Sequence, residues 1–235
     1  MSIQQHPHFS HEQRKLDNTT TYIRDVIEGN IPVEGHGAYP WDASAVWRHK
    51  RDYIEELQRA QPQPYVGRVD WLCDDDDKVE SFYIGKFAIP SQHIYSWRDT
   101  LAADLFYQYE TDRENGKLLL IREIGIVQAY LNAINDKYVD DSLQEVLGAS
   151  RFSDAMLIDL LNQHRSGALH DIIATIQAQQ YRLIRAPHDQ VLIVQGVPGS
   201  GKTSIALHRM AYLLYQPSLN FEPKNVLVLG PNRVF

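Results

Sequence analysis

Nine consecutive residues, Gly196 to Ser204 (GVPGSGKTS), constrain this chain more than any other stretch, because they satisfy the pattern G-x-x-x-x-G-K-[ST] at every required position. The glycines Gly196, Gly199 and Gly201 let the backbone close into a tight arch whose N–H groups converge on phosphate oxygens. Ser200 belongs to the same arch. Lys202 supplies a point charge at the β/γ-phosphates, and Thr203 offers a hydroxyl to Mg²⁺. Ser204 adds a further phosphate contact, and the positive end of the following helix favours the same anion. Such a P-loop needs a strand before it and a helix after it. Val191-Leu192-Ile193-Val194 predicts a buried parallel strand, and Thr203 to Tyr215 carries Ile205, Leu207, Met210, Leu213 and Leu214 at helical spacing.

The rest of the chain is compatible with that centre. Its 235 residues, 43% of them hydrophobic, suffice for one sizeable core or two modest ones. No apolar run approaches the roughly 20 residues of a membrane span, and the N-terminus has no signal-peptide stretch, so a cytoplasmic address is expected. Cys73 is the single cysteine, which excludes an intramolecular disulfide and a cysteine-rich zinc site. A net charge of −7 argues against a globally basic coat while leaving room for a local basic strip.

Taken in order, Ser10 and Gln13 read as a capping box opening a helix with Leu16, Ile23, Val26 and Ile27 on one stripe, ending near Gly29-Asn30. Asp42 is the expected N-cap of a second helix carrying Val46, Trp47, Tyr53, Ile54 and Leu57, so residues 1–63 predict a helical hairpin. After Ala60-Gln61-Pro62-Gln63-Pro64 the period becomes two. Tyr65 to Cys73 and Val79 to Phe87 read as strands joined by a solvated turn of four carboxylates, Asp74 to Asp77. The aromatic stretch His93 to Tyr109, with Trp97, Phe106 and Tyr107, reads as core in preference to a base-stacking platform. Gly116 to Val127 reads as strands with a turn, closing a small β-rich region over 64–140. From Asp141 the period is helical again, through Leu143, Met156 and Leu169 to Ile176. The ten histidines lack metal-ligand spacing and read as structural or surface residues.

Kinases, GTPases and helicases all use a P-loop, and Gln180 separates them. It precedes Gly196 by sixteen positions on a helix leading into the loop's strand, and its amide can read the adenine edge with one donor and one acceptor. That arrangement resembles the Q motif of superfamily 1 helicases of the UvrD/Rep type, and His208 to Leu214 is similar to their following helix. Upstream, Pro64 to Asp70 (PYVGRVD), Tyr83-Ile84-Gly85, Ile94 to Arg98 (IYSWR), Leu143 to Leu147 (LQEVL) and Ile172 to Arg185 look like successive landmarks of the helicase IV or HelD-type family. The resemblance implies a bacterial helicase-like ATPase that binds RNA polymerase and releases it from nucleic acid. Two departures stand out. The N-terminal hairpin is short where that family has a long coiled-coil arm, and no Walker B carboxylates or arginine finger follow the expected strand Asn225 to Leu229 and the segment Gly230-Pro231-Asn232, which looks like the start of motif Ia.

The expected architecture is therefore an α/β P-loop NTPase (RecA-like) helicase domain, truncated and starting at 141–235, behind the hairpin and the β-rich region. As an N-terminal part of a larger motor it binds ATP and Mg²⁺ through Gln180, Gly196, Gly199, Ser200, Gly201, Lys202, Thr203 and Ser204, without hydrolysing ATP alone. Lys202 and Thr203 are the expected catalytic pair, Thr203 the metal ligand. DNA and RNA polymerase are the expected partners, with no membrane. The rival readings are another P-loop enzyme such as a kinase, and a non-catalytic polymerase-binding module.

Overall fold

A computed structural model describes residues 3–33, 43–74, 78–98, 101–108, 112–113, 116–140, 176, 178–216, 219 and 221–229. The chain divides into two compact units, Met1–Thr175 and Ile176–Phe235. In the first, helix α1 (Phe9–Ile27) and helix α2 (Ala43–Ala60) precede strands β1 (Gly67–Cys73), β2 (Val79–Gly85) and β3 (Ile94–Ser96). Helix α3 (Leu101–Gln108), the short strand β4 (Asp112–Arg113) and the long hairpin β5 (Gly116–Val127) and β6 (Tyr130–Val139) complete it.

Helix α1 begins two residues earlier than the capping box requires. The chain enters through a turn in which Phe9 N–H donates to His6 O, so His8 is the N-cap and its carbonyl accepts from Glu12 N–H at 3.0 Å. Ser10 is thereby already helical, and Gln13 donates from Nε2 to Asp17 Oδ1 at 2.9 Å, so no box forms. The far end stops where expected. Gly29 is left-handed (φ 81), its N–H donates to Val26 O, and Asn30 N–H donates back to Asp25 O, a paired closure that few residues other than glycine allow. Asp42 lies outside the described residues, as do the side chains of Val46 and Trp47.

Among the described residues the sheet has six strands, ordered β3-β2-β1-β5-β4, with β6 also paired to β5. Of these, β2 and β3 run parallel and the other pairs are antiparallel. Strand β5 is continuous across the expected turn. Its charged residues stay in the ladder because each has a partner: Arg122 with Asp136, and Glu123 with Lys137 at 3.3 Å. The strand opposite, β6, goes unmarked by the sequence periods. The turn joining them places Gln128 (φ 50) and Ala129 (φ 62) in the left-handed region, and Ala129 N–H donates to Pro62 O at 2.9 Å.

One face of the sheet is covered by α1 and α2, the other by α3. Leu16, Ile23 and Val26 of α1, with Leu57 and Ala60 of α2, share a buried core with Tyr83, Ile94, Ile124, Ile126 and Leu131. The hairpin and the β-rich region, set apart by their sequence periods, thus share one core. On the other face Trp97, Phe106 and Tyr107 are buried, as their density in the sequence suggests. Here Gly67 has no room for a side chain, because a Cβ would collide with the Phe106 ring. Asp74 is exposed in a turn; Asp75 to Asp77 and the helical run from Asp141 lie outside the described residues.

A row of polar residues crosses the α1 face at one level. In register from β2 to β6 stand Tyr83, Arg68, Arg122 and Asp136, so two arginines face each other across β1 and β5. Like charges directly opposite destabilise a sheet. Glu12, fully buried on α1, resolves the conflict by accepting from Arg68 Nη1 at 3.1 Å and Arg122 Nη1 at 2.9 Å. Asp70 holds the rest of the Arg68 fork at 2.7 and 2.9 Å, and Asp136 that of Arg122 at 2.5 and 3.1 Å. Tyr83 OH donates to the second Glu12 oxygen at 3.1 Å.

Tyr65 packs against Tyr83 with ring centroids 4.8 Å apart and the rings tilted by 57°, yet its buried hydroxyl has no hydrogen-bond partner among the described residues. The two tyrosines therefore make a matched test. Tyr83→Phe removes a bond to a carboxylate and should cost about 1.5–3 kcal/mol in a denaturant titration, whereas Tyr65→Phe should change stability by less than about 1 kcal/mol or raise it. Equal losses for both would show that the Tyr65 hydroxyl is satisfied in solution.

Candidate functional site

The second unit is built on two helices, α4 (Ala178–Ile184) and α5 (Lys202–Tyr215), with Ile176, Tyr181, Ile184 and Ile205 buried among the described residues. The apolar segments that flank the expected P-loop differ from expectation. Residues 191–197 and 226–229 have no regular secondary structure, and Asn225 belongs to a short 3₁₀ turn, Pro223–Asn225. Val191 and Leu229 are 92% and 84% exposed. Their β-branched and apolar composition gives strand propensity, but a strand exists only by pairing, and neither segment has a ladder partner among the described residues.

The loop itself is formed. Gly199 and Gly201 are both left-handed (φ 82), and Ser200 N–H donates to Val197 O at 3.2 Å, which closes the arch. Gly201 is the N-cap of α5, its carbonyl accepting from Ile205 N–H at 2.9 Å. At Gly196 a Cβ would stand 2.7 Å from Ser200 Oγ, so the two ends of the arch approach too closely for any other residue to fit unchanged. Lys202 folds back over the arch, Nζ donating to Gly196 O at 2.8 Å and Val197 O at 2.7 Å. Thr203 is exposed on the first turn of α5, and Ser204 is half-buried beside it, its carbonyl 2.8 Å from His208 Nδ1. Gln180 of α4 comes to the same place: its Nε2 lies 3.5 Å from where a Cβ on Gly201 would be. All eight residues singled out in the sequence thus lie on one loop, the first turn of α5 and the adjoining helix. An arch of this kind at a helix N-terminus, with an ammonium group beside it, can hold an anion.

Sequence reasoning missed Arg209. Its Nη1 donates to the carbonyls of Leu183 (3.3 Å), Ile184 (3.1 Å) and Ala186 (2.6 Å), and Nη2 to Pro187 O at 2.9 Å. Leu183 and Ile184 are in the last turn of α4, whose carbonyls have no partner further along the helix, and Ala186 and Pro187 lie just past it. A signal was present: Arg209 follows the buried Ile205 by one helical turn, so it sits on the inward face of α5. Arg185, just past α4, adds a second link, its guanidinium 5.2 Å from the Tyr181 ring centre and 4.9 Å from that of Tyr212.

Residues 5–150 match the family described as DNA helicase IV HelD, N-terminal domain. No curated protein matches the chain. The matched stretch ends before Ile176–Phe235, so the loop and its helices lie outside it. Among the described residues, no helix is long and apolar enough to cross a membrane.

Proposed function

The chain belongs to the family of the DNA helicase IV HelD N-terminal domain, and from that premise we propose that it is the ATP-binding N-terminal part of a superfamily 1, UvrD-like helicase or translocase. Such a motor works on DNA in the cytoplasm and, by the likeness of the landmarks named above, serves to recycle RNA polymerase. The observation that supports the reading best is the convergence of Gln180, the left-handed Gly199 and Gly201, and Lys202 on one end of α5.

In this reading the N–H groups of the arch from Gly196 to Gly201 hold the β- and γ-phosphates, and Lys202 transfers from the loop carbonyls to the phosphate oxygens. Thr203 would hold Mg²⁺, for which an exposed hydroxyl on the first turn is suitably placed. Bound ATP supplies the phosphoanhydride whose hydrolysis drives movement. Gln180 reads the adenine edge, donating to one ring position and accepting from the exocyclic amine. Guanine carries a carbonyl acceptor where adenine has that amine. Gln180→Ala should therefore erode the preference for ATP over GTP about tenfold, the worth of one hydrogen bond of roughly 1.4 kcal/mol. Titration calorimetry with the two Mg²⁺-nucleotides measures it, and an unchanged preference would remove Gln180 from the site.

A further inference from the structure

We propose that Arg209 is a positioning residue for base selection, holding α4 so that Gln180 keeps its place at the mouth of the loop. The inference rests on the ATP reading given above and deepens it. Arg209 lies on α5, whose first turn belongs to the loop, and its planar fork engages four carbonyls, two in the last turn of α4 and two in the residues just after it. Gln180 lies one turn upstream of Ile184, one of those four, so any rotation or slide of α4 against α5 moves the amide by a comparable distance. Helix α4 is short, seven residues from Ala178 to Ile184, and has little intrinsic stability with which to hold its own orientation. A hydrogen-bonding amide discriminates only if it is held to within a few tenths of an ångström, so the orientation of α4 is part of the specificity.

The fork also suits its task electrically. The carbonyls at a helix C-terminus carry a partial negative charge, and a guanidinium satisfies several of them at once where an ammonium group would reach fewer. Arg185 between the Tyr181 and Tyr212 rings opposes rolling of the same pair of helices from the α4 side. Arg209 reaches by hydrogen bonds from the phosphate-side helix to the end of the base-side helix.

The test uses the whole 235-residue chain and measures affinities for Mg²⁺-ATP and Mg²⁺-GTP in wild type, Gln180→Ala, Arg209→Ala, Arg209→Lys and the Gln180→Ala/Arg209→Ala double variant. Arg209→Ala should lower the ATP-over-GTP preference about tenfold, as Gln180→Ala does, because both lose the same hydrogen bond to the base. The double variant should lose no more than either single one, since the two residues act through one contact. Arg209→Lys keeps the charge and the fold and should fall between wild type and alanine. Equal losses of ATP and GTP affinity in Arg209→Ala would mean a merely structural role and overturn the proposal. So would a preserved preference in both Arg209 variants when Gln180→Ala abolishes it, and that result would leave the ATP reading intact. A wild type without preference for ATP would overturn the reading of Gln180 and this inference together.

Discussion

Glu12→Ala is expected to destabilise the first unit by about 3–5 kcal/mol, enough to unfold a marginal domain, because it strands two buried arginines that face each other across β1 and β5. Arg122 is fully buried and Arg68 nearly so, at 0% and 12% side-chain exposure. Without the Glu12 carboxylate each loses a charge-assisted bond and repels the other with little water to screen it. The second site shows whether this is the mechanism. If repulsion dominates, Arg122→Met in the Glu12→Ala background should recover part of the loss, as apolar replacement of buried ion pairs often does, whereas Arg122→Met alone should be costly. Additive losses in the double variant would show that Glu12 acts by packing.

The same row sets the acid limb of stability. Burial alone would raise the Glu12 carboxyl, but Arg68 and Arg122 outweigh it and hold it below its ordinary value of 4.5. Its contribution is thus present above 4.5 and is lost as the pH falls through the lower folded value. His6 and His8 are both pushed below their ordinary 6.5, first by burial and also by Arg122, despite the opposing pull of Asp136. The fold favours their neutral form, so protonating them opposes folding. Unfolding midpoints should start to decline below 6.5 and fall further below 4.5, and the second stage should be missing in Glu12→Ala.

Lys202→Ala should weaken Mg²⁺-ATP binding roughly 10- to 150-fold, since a charge-assisted contact to phosphate is worth about 1.5–3 kcal/mol. The loss should follow the phosphates. In the ATP reading the lysine reaches the β- and γ-positions, so ADP should lose most of what ATP loses and AMP little. That gradation separates removal of a ligand contact from collapse of the loop, which is a real alternative because Lys202 Nζ also bonds Gly196 O and Val197 O. Equal ATP affinity in wild type and variant by calorimetry would sink the phosphate reading, and equal loss for all three nucleotides would assign Lys202 to loop structure alone.

Much of this was legible in the residues because it depends on local pattern. The stripe Leu16, Ile23 and Val26, the stop at Gly29 and the left-handed glycines of the arch follow from spacing and backbone sterics within a few residues. What escaped depends on partners far away in the chain. The continuity of β5 through Arg122 and Glu123 is one such case, because the partners that neutralise them are on β6 and α1. The carbonyls that Arg209 engages likewise lie 22 to 26 positions away. The errors at Val191 to Val194 and Asn225 to Leu229 run the other way: propensity was read correctly, but pairing decides whether a strand exists.

The bond between Glu12 and Arg122 joins residues 110 positions apart. During synthesis α1 leaves the ribosome first, yet the surface that neutralises its buried carboxylate is complete only when β5 and β6 have followed. At about 5–20 residues per second that interval is roughly 5–20 s, long on the timescale of helix formation. Throughout it, Leu16, Ile23 and Val26 have no sheet to cover, so a nascent chain of this family presents a sticky amphipathic helix to its surroundings. Chaperone capture should therefore concentrate on chains shorter than the β6 strand and end abruptly once it emerges.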